Sequence, residues 1–363
     1  MSATAEEALK KPADGKRAFK PDPYKQAAKH LASVFIEQLG NPDSRWHKQW
    51  TTEGFAVQSE AYNPTTGKSY KGGNQLLLTL QQLQMQADGM EPGDNRWMTF
   101  KQAQKIGAHV RAGEKGTWLT TFKEMPVEEG AVDPDGNPKR GRLACLPFCV
   151  FHASQIEGLP EVERVALPPV EERLKGAYEL IKDLGVPVHE VAGDRAFYAP
   201  STDSITVPLR NQFTNQEAWI AVLLHEAGHA TGHKSRLDRP FVGAFGSEDY
   251  AREELRAEIA AYAACQRLGV QYDTKQHFGY VNSWIKVLNE DPQEILRAAR
   301  DAEKIMEFLK VPEMVHEVIP ELTPEEREKR IEQRKAEKAL AQAKEQAAQP
   351  IAAMKVPEIK MEF

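Results

Sequence analysis

Apolar positions recur every three to four residues through several stretches of the chain. In YKQAAKHLASVFIEQL, residues 24–39, Leu31, Val34, Phe35 and Leu39 share one side of an expected helix. After an aromatic, turn-rich stretch at 44–75, GGNQLLLTLQQLQMQ reads as a second helix opened by glycines. The run WMTFKQAQKIGAHVRAGEKGTWLTTFKEM predicts a strand, a short helix and a hairpin turning at AGEKG. EEGAVDPDGNPKRGR is a loop by composition, and LACLPFCVFHASQI resumes as a strand. The proline-rich segment EGLPEVERVALPPVEE places a boundary near 160–170. Beyond it come a helix over 170–184, a strand at HEVAG, and RAFYAPSTDSITVPLR. The last of these reads as a hairpin or exposed edge strand, turning at Pro200–Asp203. The capping box Thr214…Glu217 opens a helix through WIAVLLHEAGHAT. Another helix opens at Ser247 and stops at Gly269, and amphipathic segments follow at 279–289 and 292–310. From the capping box Thr323…Glu326, with Pro324 at the first helical position, one long charged helix begins. Its apolar positions are sparse, so a solvated helix is expected there.

These elements imply an α+β chain of two domains. The expected divisions are an arm at 1–24, a first domain at 25–160, a linker at 161–170, a second domain at 171–315 and a charged helical tail at 316–363.

Composition narrows the class. With 363 residues, 41% hydrophobic and 28% charged, the chain has the balance of a soluble protein long enough for two cores. No apolar run is long enough to span a membrane, and MSATAEEALKKPADGKR has no apolar core for a secretory signal. Three cysteines are too few for a disulfide framework, so a reducing compartment, the cytoplasm, is expected. The formal charge of −6 is unevenly spread, because residues 1–123 carry a net of +5 and the remainder −11. Only the first third is suited to a polyanion.

The sharpest chemical signal is His225-Glu226-Ala227-Gly228-His229. On a helix, positions i and i+4 share a face, so both imidazoles can meet one ion with Glu226 beside it. Zinc suits such donors and keeps an open position for water, whose proton Glu226 would take. One zinc per chain is expected, with manganese or cobalt as alternatives. A third ligand is required. In a continuous helix His233 would sit about 12 Å along the axis from His225, too far to share the ion. The next helix offers Glu254 and Glu258, four apart on one face. One would bind metal while the other accepts a hydrogen bond from a ligand histidine. Glu253 lies on another face and is expected to meet solvent. In thermolysin-like gluzincins, which the pattern resembles, the ligand Glu precedes the supporting carboxylate by four residues. That resemblance assigns Glu254 to the metal and Glu258 to support, with the reverse as the alternative.

HEAGHATGHKSRLDR, FGSEDYAREELRAEIAAY and YVNSWIKVLNEDPQEILRAARDAEKI together resemble the zincin domain of ArdC-type antirestriction proteins, with FYAPSTDSITVP as its edge strand. NPTTGKSYKGGNQLLL, WMTFKQAQKIGAHVRAGEKGT and FHASQIEGLP resemble that family's single-stranded-DNA-binding domain. The likeness runs over about residues 25–310 and leaves the helix after Thr323 outside. It implies a protein of conjugative plasmids or related mobile elements that shields incoming DNA from restriction, with a metallopeptidase-like domain related to those that cleave DNA-bound proteins.

Strand binding without sequence preference combines basic residues along a groove with aromatic platforms. Trp46, Trp50, Lys68, Tyr70, Lys71, Trp97, Lys101, Lys105, Arg111, Lys115 and Trp118 are the candidates, and Asn74 closes a Gly-Gly-Asn turn able to present N–H groups to phosphate. Lys68, Tyr70 and Lys71 lead these, while Trp97 and Phe100 are expected in the core. Gly67-Lys68 lacks the upstream glycine of a nucleotide-binding loop. An oxyanion would be held by the metal and by Tyr250 or His233. Two other readings stand beside the peptidase: a DNA-binding protein whose metal is structural, and a primase-associated DNA-binding module. The intact Glu226 favours the enzyme, since a structural site needs no base.

Overall fold

The structure is a computed structural model that describes residues 22–348, apart from 42–43, 45, 47–59, 91–92, 128–131, 133–134, 136–140, 163–166, 240–245 and 273–278. The arm at 1–21 and Trp50 lie outside the described residues.

Helix α1 (Pro23–Gly40) starts where Asp22 accepts the Tyr24 amide at 2.9 Å, and Pro23 occupies the first turn, where no donor is lost. It buries Leu31, Phe35 and Leu39, each contributing about 1.5–3 kcal/mol of apolar burial. The short hairpin β1–β2 (Tyr62–Asn63, Lys68–Ser69) leads into α2 (Gly72–Ala87). Then come β3 (Trp97–Met98), α3 (Phe100–Lys105), β4 (His109–Val110), β5 (Thr117–Glu124), β6 (Leu143–His152) and β7 (Ile156–Glu157). AGEKG turns the chain but makes no hairpin across itself. β5 pairs along its length with β6, and β4 pairs with β7, so both partners come from 143–157. Local turn composition cannot disclose that choice of partner. Trp97 is buried as expected, whereas Phe100 is 47% exposed on the surface of α3.

The second half opens with α4 (Val170–Asp183) and a three-stranded sheet in the order β8 (Val188–Val191), β10 (Ser204–Pro208), β9 (Phe197–Ala199). β10 is therefore central, parallel to β8 and antiparallel to β9, and β9 alone of the hairpin is an edge strand. Helix α5 (Gln216–Ala230) lies beneath this sheet and is buried from Trp219 onward. Its cap is Asn215, which accepts the Ala218 amide at 2.8 Å, one residue past the expected Thr214. Helix α6 (Glu248–Leu268) begins at the Ser247 cap and ends at Gly269, whose φ of 66° is left-handed. Helices α7 (Val281–Glu290), α8 (Glu294–Phe308) and α9 (Pro324–Ala348) complete the chain.

The halves do not keep separate cores. One cluster of buried side chains runs from Leu31, Phe35, Leu80 and Trp97 to Trp219, Leu255, Trp284 and Ile305. Helices α1 and α2 pack on α7 and α8, and Trp46 stacks on Tyr262 with ring centres 4.6 Å apart. The Glu60 carboxylate meets Arg267 at 2.6 Å, both side chains nearly fully buried. Among the described residues no helix is long and apolar enough to cross a membrane.

The tail is not free either. Residues 311–322 run back over the first half as a strap: Ile319 N donates to Pro64 O at 2.8 Å and Leu322 N to Lys105 O at 2.9 Å. His316 stacks flat on Tyr62 with ring centres 3.8 Å apart. Thr323 and Glu326 then form the capping box that launches α9 across α3, β4 and β7.

Candidate metal centre

Helix α5 carries His225 and His229 on one side, and α6 runs alongside close enough that a Cβ on Gly228 would touch Ala257 at 3.6 Å. That small-residue contact lets carboxylates of α6 reach the imidazoles. The two Nε2 atoms are 3.1 Å apart, and Glu254 lies 3.3 Å from Nε2 of His225 and 3.4 Å from Nε2 of His229. All three side chains are buried. Ligand atoms of His225, His229 and Glu254 thus fall within 4.8 Å of one another, the only such grouping among the described residues. Two imidazole nitrogens and a carboxylate facing one point fit a divalent transition metal with a position left open.

The far side of each ring is held from behind. Glu258 lies 3.6 Å from Nδ1 of His225 and accepts the Tyr272 hydroxyl at 2.7 Å. Burial pushes the Glu258 carboxyl up to about 7, against the pull of His225 and Tyr272. Glu253 lies 3.5 Å from Nδ1 of His229 and does not meet solvent, which overturns the sequence expectation. Burial works to raise its carboxyl, yet the bonds from His229 and Arg239 hold it below its ordinary value. Each histidine therefore has its own orienting carboxylate.

Glu226 sits between the two histidines in sequence and is buried. Burial raises its pKa, opposed by both imidazoles, and the backbone N–H of Tyr198 on β9 donates to its carboxylate. The edge strand is thereby placed over the helix that bears the histidines.

Two arginines, neither singled out by the sequence, fix the loop after α5. Arg239 donates to Gly228 O and Thr231 Oγ1 at 2.8 Å each, and to Glu253 at 2.7 Å, capping the helix C-terminus with a cation. Arg236 donates to Ala230 O at 2.6 Å and to Tyr198 and Asp203 on the β9–β10 hairpin. Tyr250 borders the cluster, its hydroxyl 3.2 Å from that of Tyr280 and bonded to Glu254. His233 instead bonds Ser235 Oγ at 2.7 Å in the turn after α5.

The nucleic-acid candidates separate by environment. Asn74 exchanges two bonds with the Thr120 backbone and ties α2 to β5. Tyr70 donates to Trp97 O at 3.0 Å and packs on the core. Trp46 is buried, Arg111 pairs with Glu114, and Lys71 and Lys105 pair with Glu313 and Glu321 of the strap. Lys68, Lys101, Lys115 and Trp118 are exposed, the last by 62%.

Comparison with known proteins places this geometry. Residues 25–148 match the family model for the N-terminal domain of the anti-restriction factor ArdC, and 175–301 match that of a zincin-like metallopeptidase. Two Escherichia coli proteins named DNA primase TraC are 42% and 43% identical over 79% and 77% of this chain. The chain spans only 20% and 26% of their length. An uncharacterized protein y4eC of Sinorhizobium fredii is 33% identical over 77% of this chain and 90% of its own. Crystal structures of the antirestriction protein ArdC from plasmid R388, metal-free and Mn(II)-bound, are 30% identical. They align with TM-scores of 0.61 and 0.62 over 80% of this chain and 97% of theirs. With both halves matched in order and nearly the whole of that structure covered, the chain belongs to the ArdC antirestriction family.

Proposed function

We propose that this chain binds single-stranded DNA through its first half and hydrolyses proteins found there through its second, protecting incoming DNA from restriction. The observation that carries the reading is Glu226, a buried carboxylate flanked in sequence by two histidines that converge with Glu254. His225, His229 and Glu254 would hold a divalent metal, zinc or manganese, which supplies Lewis acidity at the scissile carbonyl. Glu258 and Glu253 orient the two imidazoles. Glu226 takes the proton of the attacking water and passes it to the leaving amine. The outer edge of β9 can pair with an extended peptide, which strand addition would align across Glu226. Tyr250, which borders the Glu254 side of the cluster, would donate toward the developing oxyanion, with His233 in the turn after α5 as the other candidate donor. Lys68, Lys101 and Lys115 supply phosphate contacts, and Trp118 a stacking surface. The TraC relatives support a second reading, in which the same unit serves a DNA primase as a strand-binding module.

Proteolysis by the metal-loaded protein, with and without single-stranded DNA, beside Glu226→Gln and His229→Ala, separates these readings. Cleavage should require DNA, vanish in Glu226→Gln with metal content unchanged, and vanish in His229→Ala together with the metal. Strand binding without any cleavage of DNA-bound protein would favour the binding module.

A further inference from the structure

Between α9 and the turn from α3 into β4 lies an open cleft of about 600 Å³. Its size suits one nucleotide. One wall is Gly107 and His109, and the other is a single face of α9 formed by Arg327, Ile331, Arg334 and Lys335. Three cations therefore face the space, with Glu328 the one carboxylate on either wall. Nε of Arg327 is buried and meets no partner among the described residues. Arg334 is engaged with His109, itself 3.1 Å from Glu157, and Arg330 donates to Gly158 O at 3.1 Å. Burial first, then the neighbouring charge of Arg330, holds the Arg334 guanidinium below its ordinary value, against the pull of Glu157 and Glu337. The helix start is already satisfied by the Thr323–Glu326 box, so these side chains, rather than the helix end, make the site. Lys105 of α3 adjoins Gln104, which lines the cleft, and Lys101 lies about one turn earlier.

We propose that this cleft is an anion site built by α9, taking the phosphate of a nucleotide unit, with Arg327 and Lys335 as donors and Ile331 as an apolar floor. The matched family segments end at residue 301, so α9 adds this site to the family domains. The phosphate can come from a single strand already lying along α3, or from a free nucleotide. The first source rests on the strand-binding reading above, and the second does not.

The test uses the full chain and the double substitution Arg327→Gln with Lys335→Gln. Neither side chain has an internal partner among the described residues, so circular dichroism and Tm without ligand should be unchanged. A fluorescent oligothymidylate and free dTMP are titrated in parallel, the first by anisotropy across salt and the second by calorimetry. If the strand is the source, the double variant binds oligothymidylate about tenfold more weakly, and the slope of log K against log salt falls by about 0.7 for the one lost phosphate contact. If a free nucleotide is the source, wild-type protein binds dTMP and the variant does not, while oligothymidylate affinity stays the same. Unchanged binding of both ligands overturns the site. Failure of wild-type protein to bind oligothymidylate at all would sink the strand-binding reading alone, and the dTMP arm would still decide this one.

Discussion

At Glu253 the carboxylate reaches toward His229 from behind while Arg239 grips it from the loop, as Glu258 and Tyr272 do for His225. Such partners fix tautomer and ring angle, and losing one weakens metal binding about 10- to 100-fold. Glu253→Gln and Arg239→Gln should each show that loss in a chelator competition, with helix content retained. Unaltered metal affinity would reduce the pair to a helix cap. His225, Glu226 and His229 are legible in sequence because a five-residue spacing on one helix suffices to define them. Glu254 and Glu258 are legible once a second helix is granted. Glu253 is not, because its burial depends on Arg239, fourteen residues away on a loop whose path no periodicity describes. The same holds for Lys71 and Lys105, whose partners are more than 200 residues distant.

The elements themselves follow their sequence signals closely where the signal is local. Ser247 and Gly269 bound α6, and the Thr323–Glu326 box opens α9, because caps satisfy groups within one turn. Strand partners are another matter, as β4 and β5 show, since pairing is settled by tertiary contacts. The strap is the element no local rule announces. Its His316 is pushed by burial from the ordinary 6.5 down to about 4, stacked on Tyr62 with Nε2 3.1 Å from Ser69 Oγ. A folded value below the unfolded one means that the neutral ring is the one that docks. Its stabilisation is complete above about pH 6.5 and is lost as pH falls toward 4. Hydrogen exchange over residues 311–322, once corrected for the slower base-catalysed intrinsic rate at lower pH, should therefore show an excess of opening at pH 5 over pH 7. His316→Phe, which keeps the stacking and cannot be protonated, should abolish the excess. An equal excess in the variant would move the effect to another group.

For the molecule as a whole, the ion pair Glu60–Arg267 joins residues 207 apart inside the common core. Burial tends to raise the Glu60 carboxyl and Arg267 opposes it, so removal of the arginine strands a buried acid. Arg267→Ala should cost about 3–5 kcal/mol in urea unfolding. Both halves should still melt in one transition, whether followed by tryptophan fluorescence or by helix signal. Two separated transitions in the wild-type chain would show that the halves fold apart. The proline-rich segment near 160–170 reads as a divider in sequence, but a buried surface common to both sides is invisible to composition. That surface bears on inheritance. A recombination event that cut the gene there would leave each product with an uncovered apolar face, Leu31 and Phe35 on one and Trp284 and Leu288 on the other, prone to aggregate. Such exchanges should be purged, so the pair ought to move between replicons as one cassette. The relatives carry it that way: y4eC, little longer than the matched stretch, and the TraC primases, several times its length, each retain both halves together.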